Sequence, residues 1–257
     1  MKIFIVKNLN NLLNGLNEKE FIVISSTGGS GSSYLIDQLI LRGFNVCVRP
    51  DGGEQKINVD SFELYKNRTR KFFQTNLRPG CDDADMFNET IFNLNKKKRG
   101  RYALVCMNWG LKGFFSKLGS QIKPIYLVRN PLFAFNSYSG LGWRKDGGSR
   151  RISGLGFDGP NDLRWVNAWL EDFAHWEKGA KIAIDAARSQ SGHLVRYHKM
   201  NEDFCEIPNF PVLKKFYCKD SATKINEITD ETIDYIKART DKLWHSIDSF
   251  AFKKNKI

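Results

Sequence analysis

The strongest chemical signal in the sequence is a short run of glycine, serine and threonine residues between two apolar segments. It occupies residues 25–33, follows the apolar run Phe21–Ser25 and opens a segment with helical periodicity, Ser33–Leu41. Glycines let a backbone turn tightly toward an anion, and the amino terminus of a helix adds positive potential there. We therefore predict a phosphate-binding loop, against the alternative of an ordinary connection between strand and helix. Its predicted ligand residues are Thr27, Gly28, Gly29, Ser30, Gly31, Ser32 and Ser33.

This loop differs from the common ATP-binding loop in one respect. The ATP-binding pattern reads GxxxxGK followed by serine or threonine, and its lysine reaches the phosphate that is transferred. No lysine stands in residues 25–33. A nucleotide-dependent kinase is therefore the alternative function and not the leading one.

A second group able to bind phosphate follows a later apolar run. Arg129 comes directly after Pro124–Val128, Pro131 suits the first turn of a helix, and Ser137 lies eight residues beyond the arginine. Arginine can bind a phosphate through two parallel N–H groups, and a nearby hydroxyl can complete the shell. The segment predicts a second anion site, against the alternative of a simply capped helix start.

The elements that position these groups follow from the hydrophobic pattern. Five short runs are apolar almost continuously, as in parallel strands that are covered on both faces. Helical patterns separate them, including a long one at Asn161–Ala187 with Asn161 or Asp162 as its N-cap. We predict one α/β domain over residues 1–257, a three-layer P-loop (nucleotide-kinase-like) fold with a central parallel sheet of about five strands. The runs are Phe21–Ser25, Phe44–Val48, Tyr102–Met107, Pro124–Val128 and His193–Tyr197.

Together the two phosphate segments resemble the sulfotransferase family that uses 3′-phosphoadenosine 5′-phosphosulfate (PAPS). TGGSGSSYL, Thr27–Leu35, resembles the family's 5′-phosphosulfate loop, and YLVRNP with Ser137 resembles its 3′-phosphate segment. The resemblance implies PAPS as cofactor, its product PAP, and no metal. It implies that Arg129 and Ser137 hold the 3′-phosphate, and that Tyr34 lies near adenine.

A weaker resemblance concerns LVRYHKM, Leu194–Met200. It is similar to the family strand whose tyrosine lies against adenine, which implies that role for Tyr197. His198 and Lys199 stand where the family has an acidic pair, so the match is partial. A tyrosine packed on the core is the alternative.

The family's catalytic groups are less well matched. Gly29 occupies the place of the lysine or arginine that stabilises charge on the bridging oxygen, and Lys112 or Arg49 is the candidate replacement. A carboxylate or imidazole with a pKa near neutrality could act as the base. The candidates for that base are Asp51, Glu54 and His198, and exposed turn carboxylates are the alternative for the first two. A PAP- or polyanion-binding homologue with weak catalysis therefore stays open as a third function.

The remaining predictions concern partners and compartment. The net charge of +12 favours anionic ligands, but no nucleic-acid-binding motif accompanies it, so we expect a small-molecule or glycan hydroxyl as acceptor and no nucleic acid. No stretch reaches the roughly 18–20 apolar residues of a membrane helix. The five cysteines are scattered and form no metal-binding pair, which favours a reducing, cytoplasmic location. We expect Trp165, Trp169 and Trp176 to pack in the core.

Overall fold

A computed structural model gives the architecture of most of the predicted elements. The residues that the structure describes are 21–42, 44–48, 101–106, 123–140, 159–172, 176–208, 210, 218, 220 and 228–251.

The described strands form one parallel sheet. Its order is β2-β3-β1-β4-β5, so that the first strand lies at the centre. In the register, Val23 pairs with Leu104 on one side of β1, and Ile24 pairs with Ile125 on the other. The predicted α/β class with a parallel sheet is confirmed. The strands are β1 (Phe21–Ser26), β2 (Phe44–Val48), β3 (Arg101–Cys106), β4 (Ile125–Val128) and β5 (His193–Arg196).

Side chains at the helix starts explain several helix boundaries. The Asp162 carboxylate accepts a hydrogen bond from the backbone N–H of Arg164, which confirms Asp162 as an N-cap. Asn130 does the same for the N–H of Leu132, just before Pro131. The helices are α1 (Ser32–Leu41), α2 (Pro131–Gly140), α3 (Leu163–Asn167), α4 (Trp176–Arg188), α5 (Met200–Cys205) and α6 (Asp230–Asp248); a π-helical turn, Ala168–Asp172, follows α3, and a 3-10 turn, Tyr197–Lys199, follows β5.

Helices cover both faces of the sheet. Because successive side chains of a strand point to opposite faces, Ile22 and Ile24 join one hydrophobic cluster while Val23 joins another. The first cluster contains residues of α1 and α5, and the second contains residues of α2, α3, α4 and α6. The three tryptophans predicted for the core, Trp165, Trp169 and Trp176, are buried in the second cluster, which confirms that prediction.

The helices that follow β1 and β4 lie on opposite faces of the sheet. These strands are neighbours, yet α1, which follows β1, packs on one face, and α2, which follows β4, packs on the other. In open α/β sheets, such a switch leaves a crevice beyond the carboxyl ends of the two strands, where ligands bind. Both predicted phosphate segments begin at these two ends.

None of the helices in the described part of the chain has the length and apolar character needed to cross a bilayer.

Candidate functional site

The loop between β1 and α1 depends on two glycines. Gly29 has a φ of +78° and Gly31 has a φ of +88°. Residues other than glycine rarely adopt this backbone conformation, because their Cβ atom causes steric strain. A Cβ atom on Gly29 would lie 2.3 Å from the carbonyl oxygen of Ala134 in α2. A Cβ on Gly31 would lie 2.5 Å from the ring of Tyr197. Both positions therefore require glycine for their conformation and for the close approach of a neighbour.

Hydroxyl side chains at the end of β1 and in the loop are buried. Thr27 and Ser30 are hydrogen-bonded to each other through their side chains, and the Ser30 N–H donates to the Thr27 carbonyl at 3.2 Å. Among the described residues, the hydroxyls of Ser25 and Ser26 have no hydrogen-bond partner although both residues are fully buried. Leaving a buried hydroxyl unpaired is costly. These hydroxyls could therefore donate to an anion, and the sequence prediction had not included Ser25 and Ser26 among the ligands.

The amino terminus of α1 adds positive potential to the loop. The Leu35 N–H donates to the Gly31 carbonyl at 3.3 Å, and the first turn of the helix, which includes Ser32 and Ser33, contains no acidic residue. An unopposed helix amino terminus favours an anion. Tyr34 packs partly buried against the apolar cluster on this face, and burial raises the pKa of its phenol.

Arg129 links the two predicted phosphate segments. Its Nη1 donates to the carbonyl oxygen of Gly29 at 2.9 Å, so the end of β4 is joined directly to the loop after β1. Its Nε and Nη2 both donate to Oδ1 of Asp220, at 2.9 and 2.6 Å. Its guanidinium carbon lies 4.2 Å from the ring centroid of Tyr197. The residue is only 5% exposed, so the guanidinium is enclosed on its edges and on one face.

Tyr197 lies between the arginine and the loop. Its ring contacts the guanidinium of Arg129 and approaches Gly31, from the turn that follows β5. Burial raises the pKa of the Tyr197 phenol, and the nearby Arg129 charge opposes that rise. The structure thus brings together three sequence-predicted groups, the glycine loop, Arg129 and Tyr197.

Ser137 is close to this group along α2. It is partly exposed and lies one helical turn beyond Ala134, whose carbonyl oxygen faces Gly29. Ser139, on the same helix, is buried and its hydroxyl donates to the Asn136 carbonyl at 3.2 Å. Of the two serines, Ser137 is the one available to a ligand.

Asp220 is a site residue that the sequence did not indicate. It is separated from Arg129 by 91 positions and belongs to no motif. Its backbone N–H also donates to Sγ of Cys218 at 3.4 Å, and burial is the main cause of the raised pKa of that thiol. A hydrophobic pattern cannot reveal such a residue, because its role depends on a tertiary contact.

His198, one of the candidates for the base, contacts the carboxyl-terminal helix α6. Its Nε2 lies 2.7 Å from Oδ1 of Asp248, and its ring lies 5.5 Å from that of Trp244, both in α6. Lys199 donates to the same carboxylate at 3.2 Å. These contacts connect the turn after β5 to the carboxyl-terminal helix.

The other predicted catalytic residues lie outside the described residues. They are Asp51, Glu54 and Lys112, together with Arg49. Among the residues that the structure does describe, no group of three or more His, Cys, Asp or Glu side chains could hold a metal ion.

Comparisons with protein-family models, with curated proteins and with solved structures found no match to this chain. The chemistry of the site is therefore the basis for the function proposed for this chain.

Proposed function

We propose that this protein is a sulfotransferase that binds PAPS at the switch between β1 and β4 and transfers its sulfuryl group to a hydroxyl of a small-molecule or carbohydrate acceptor. The observation that carries the proposal is the hydrogen bond from Arg129 to the carbonyl of Gly29. It joins the loop that resembles the 5′-phosphosulfate loop to the residue that resembles the 3′-phosphate ligand. The two ends of one adenosine bisphosphate could thus be bound by adjacent groups.

The residues at this site suit a nucleotide with two phosphate-bearing ends. The loop glycines, the amino terminus of α1 and the buried hydroxyls of Ser25 and Ser26 are suited to the 5′ end. Arg129 and Ser137 are assigned to the 3′-phosphate, and Tyr34 and Tyr197 to the adenine. Strand order and helices on both faces support assignment to the three-layer P-loop class. The free cysteines Cys205 and Cys218 support a cytoplasmic location.

Sulfuryl transfer needs a base for the acceptor proton and a positive charge near the leaving oxygen. PAPS supplies the activated sulfuryl group when it is bound. Asp51, Glu54 and His198 stay the candidates for the base. For His198, the carboxylate of Asp248 would fix the orientation of the imidazole through Nε2. Lys112 and Arg49 stay the candidates for the positive charge.

One observation favours a second function, a PAP-binding homologue with little transfer activity. The close approach of Gly29 to the carbonyl oxygen of Ala134 leaves no room for the lysine or arginine that the family has there. The charge must then come from another segment, and without it transfer would be slow while binding stays intact.

The two functions, and the kinase alternative, differ in their ligands and products. We expect PAP to raise the Tm of the protein more than AMP or ATP does, because only PAP has a 3′-phosphate. Sulfate transfer from PAPS to a panel of alcohols and glycans separates the enzyme from the binding homologue. ATP binding as tight as PAP binding would favour the kinase.

A matched pair of serine variants tests the 3′-phosphate assignment. Ser137→Ala should weaken PAP binding by roughly tenfold, which corresponds to the loss of one hydrogen bond to a charged group, and leave AMP binding unchanged. Ser139→Ala removes a buried hydroxyl of the same helix that donates to the backbone carbonyl of Asn136, and should leave the ratio of PAP to AMP affinity unchanged. Equal affinities for PAP and AMP in the unmodified protein would overturn the assignment.

A further inference from the structure

We propose that Asp220 is a displaceable counter-ion, which occupies the phosphate-binding edge of Arg129 in the free protein and is replaced there by the nucleotide's 3′-phosphate. The inference rests on the proposed function and adds to it a group of this chain that competes with the 3′-phosphate for Arg129.

The geometry of the contact supports this exchange. Nε and Nη2 of Arg129 form the side edge of the guanidinium, and both donate to the same oxygen of Asp220. This edge is one with which arginine binds carboxylate and phosphate oxygens alike. Asp220 therefore holds an anionic oxygen where a phosphate oxygen could lie.

Burial restricts how a phosphate can reach the arginine. The side chains of Arg129 and Asp220 are 6% and 11% exposed. The ring of Tyr197 covers a face of the guanidinium, and Nη1 is bonded to the loop backbone at Gly29. Of these neighbours, Asp220 is the one whose charge a phosphate can substitute. The backbone carbonyl and the ring carry no negative charge to exchange.

Charge compensation then determines which nucleotide can displace Asp220. A buried guanidinium is strongly disfavoured without an opposite charge, so Asp220 can leave only if another anion takes its place. A 3′-phosphate provides that anion, while a 3′-hydroxyl does not. The carboxylate of Asp220 returns to water in the first case and keeps the edge occupied in the second. The competition therefore weakens the binding of PAP and leaves the binding of AMP and ATP unaffected, because a nucleotide without a 3′-phosphate does not displace Asp220.

The substitution Asp220→Asn tests the inference, because asparagine keeps an oxygen for Arg129 but removes the competing charge. We expect the Kd for PAP to fall by about tenfold, the low end of the effect of one close charge on another group. The Kd for AMP should not change. Asp234→Asn, on the exposed surface of α6, makes the same change in net charge and should alter neither Kd. Weaker PAP binding in Asp220→Asn, or an equal gain for PAP and AMP, would overturn the inference while leaving the proposed function intact.

Inorganic phosphate separates this inference from the proposed function. If the unmodified protein fails to bind PAP, the proposed function fails, but Asp220→Asn should still gain a phosphate-dependent rise in Tm that Asp234→Asn lacks. The absence of that rise would overturn the inference as well.

A measurement on the unmodified chain covers the case in which Asp220→Asn does not fold. Because the Asp220 N–H is bonded to Sγ of Cys218, displacement of Asp220 should expose that thiol. We expect PAP to increase the alkylation rate of Cys218 several-fold and AMP to leave it unchanged, with the exposed Cys205 as internal control. A rate for Cys218 that PAP leaves unchanged or lowers would contradict the exchange.

Discussion

Gly29 and Gly31 are each in close contact with a residue of another segment of the chain. The carbonyl of Ala134 approaches Gly29 from the helix after β4, and the ring of Tyr197 approaches Gly31 from the turn after β5. Two separate segments thus fix the shape of the loop. For the proposed anion, a loop held in this way would have its backbone N–H groups arranged in advance, which would reduce the entropic cost of binding.

A single methyl group at position 29 should disturb this arrangement. We expect Gly29→Ala to lower the free energy of unfolding by roughly 1–2 kcal/mol through the left-handed backbone alone, with a further loss from the collision with Ala134. PAP binding should weaken by at least about tenfold, since the loop must move. Chemical denaturation and calorimetric titration measure the two effects.

Gly159 offers the matched control. Its φ is +121°, and apart from its chain neighbours no atom of the described residues lies within 4 Å of a Cβ built on it. Gly159→Ala should therefore lose stability from backbone strain while keeping the PAP affinity. If both variants lose PAP affinity equally, the contact with Ala134 has no part in binding.

His193, at the start of β5, should make the stability depend on pH. Burial, together with the charge of Lys123, lowers its pKa from 6.5 to about 4. Between these values the unfolded chain binds a proton that the folded protein does not. The contribution to stability is therefore complete above about pH 6.5 and is lost as the pH falls toward 4.

The substitution His193→Gln isolates this effect. We expect the difference in unfolding free energy between pH 7 and pH 4 to shrink by on the order of 1–2 kcal/mol, an amount reduced because the imidazole is partly exposed. Denaturation at a series of pH values measures it, with His245→Gln on the exposed side of α6 as control. An unchanged pH dependence in His193→Gln would contradict the shift.

At the scale of elements, local signals were sufficient for most boundaries. The continuous apolar runs predicted strands whose ends lie within one residue of those in the structure. The side chains of β1, β4 and β5 join both hydrophobic clusters, so these three strands are covered on both faces. The sequence predicted Asn161 or Asp162 as the cap, and the structure selects Asp162, whose carboxylate accepts from the N–H of Arg164. The π-helical turn Ala168–Asp172 was not predicted, because the sequence pattern of Asn161–Ala187 reads as one regular helix.

Only those parts of the site whose residues lie close together in the sequence could be predicted. The loop and Arg129 follow strands directly, and their meeting follows from parallel strands whose ends share one edge. The partner of Arg129 could not be predicted, since nothing near Asp220 in sequence marks it as a ligand. The same holds for His198, whose partner Asp248 lies 50 positions away.

The cap of α3 provides a test at this scale. Asp162→Ala should lower the unfolding free energy by about 1 kcal/mol, because the Arg164 N–H loses its acceptor. Asp162→Asn keeps an acceptor oxygen and should recover most of that loss, although the ion pair with Arg164 is exposed and contributes little. Urea denaturation measures both variants. Equal losses would show that charge, and not the cap, is responsible.

For the whole molecule, the net charge of +12 acts on anionic ligands in a different way from the candidate site. Such a charge attracts any polyanion through a field that salt screens, over about 8 Å at physiological ionic strength and about 3 Å at 1 M. Arg129 is enclosed and is much less accessible to that screening.

We therefore expect salt to distinguish two modes of binding. The rise in Tm caused by heparin should disappear in 1 M NaCl, whereas most of the rise caused by PAP should persist. Thermal shift measurements at low and high salt make the comparison, with AMP as a control for the nucleotide alone. A parallel loss for heparin and PAP would place PAP on the general basic surface.

Trp176, the first residue of α4, donates its indole N–H to the backbone carbonyl of Arg129 at 3.1 Å and is fully buried. A ligand that changes the position of Arg129 should therefore change the environment of the Trp176 indole, an intrinsic fluorophore. Emission at the red edge of the tryptophan band, compared with a Trp176→Phe variant, would report occupancy of the arginine without an added dye. The protein thus contains an optical sensor of the region where the two phosphate segments meet.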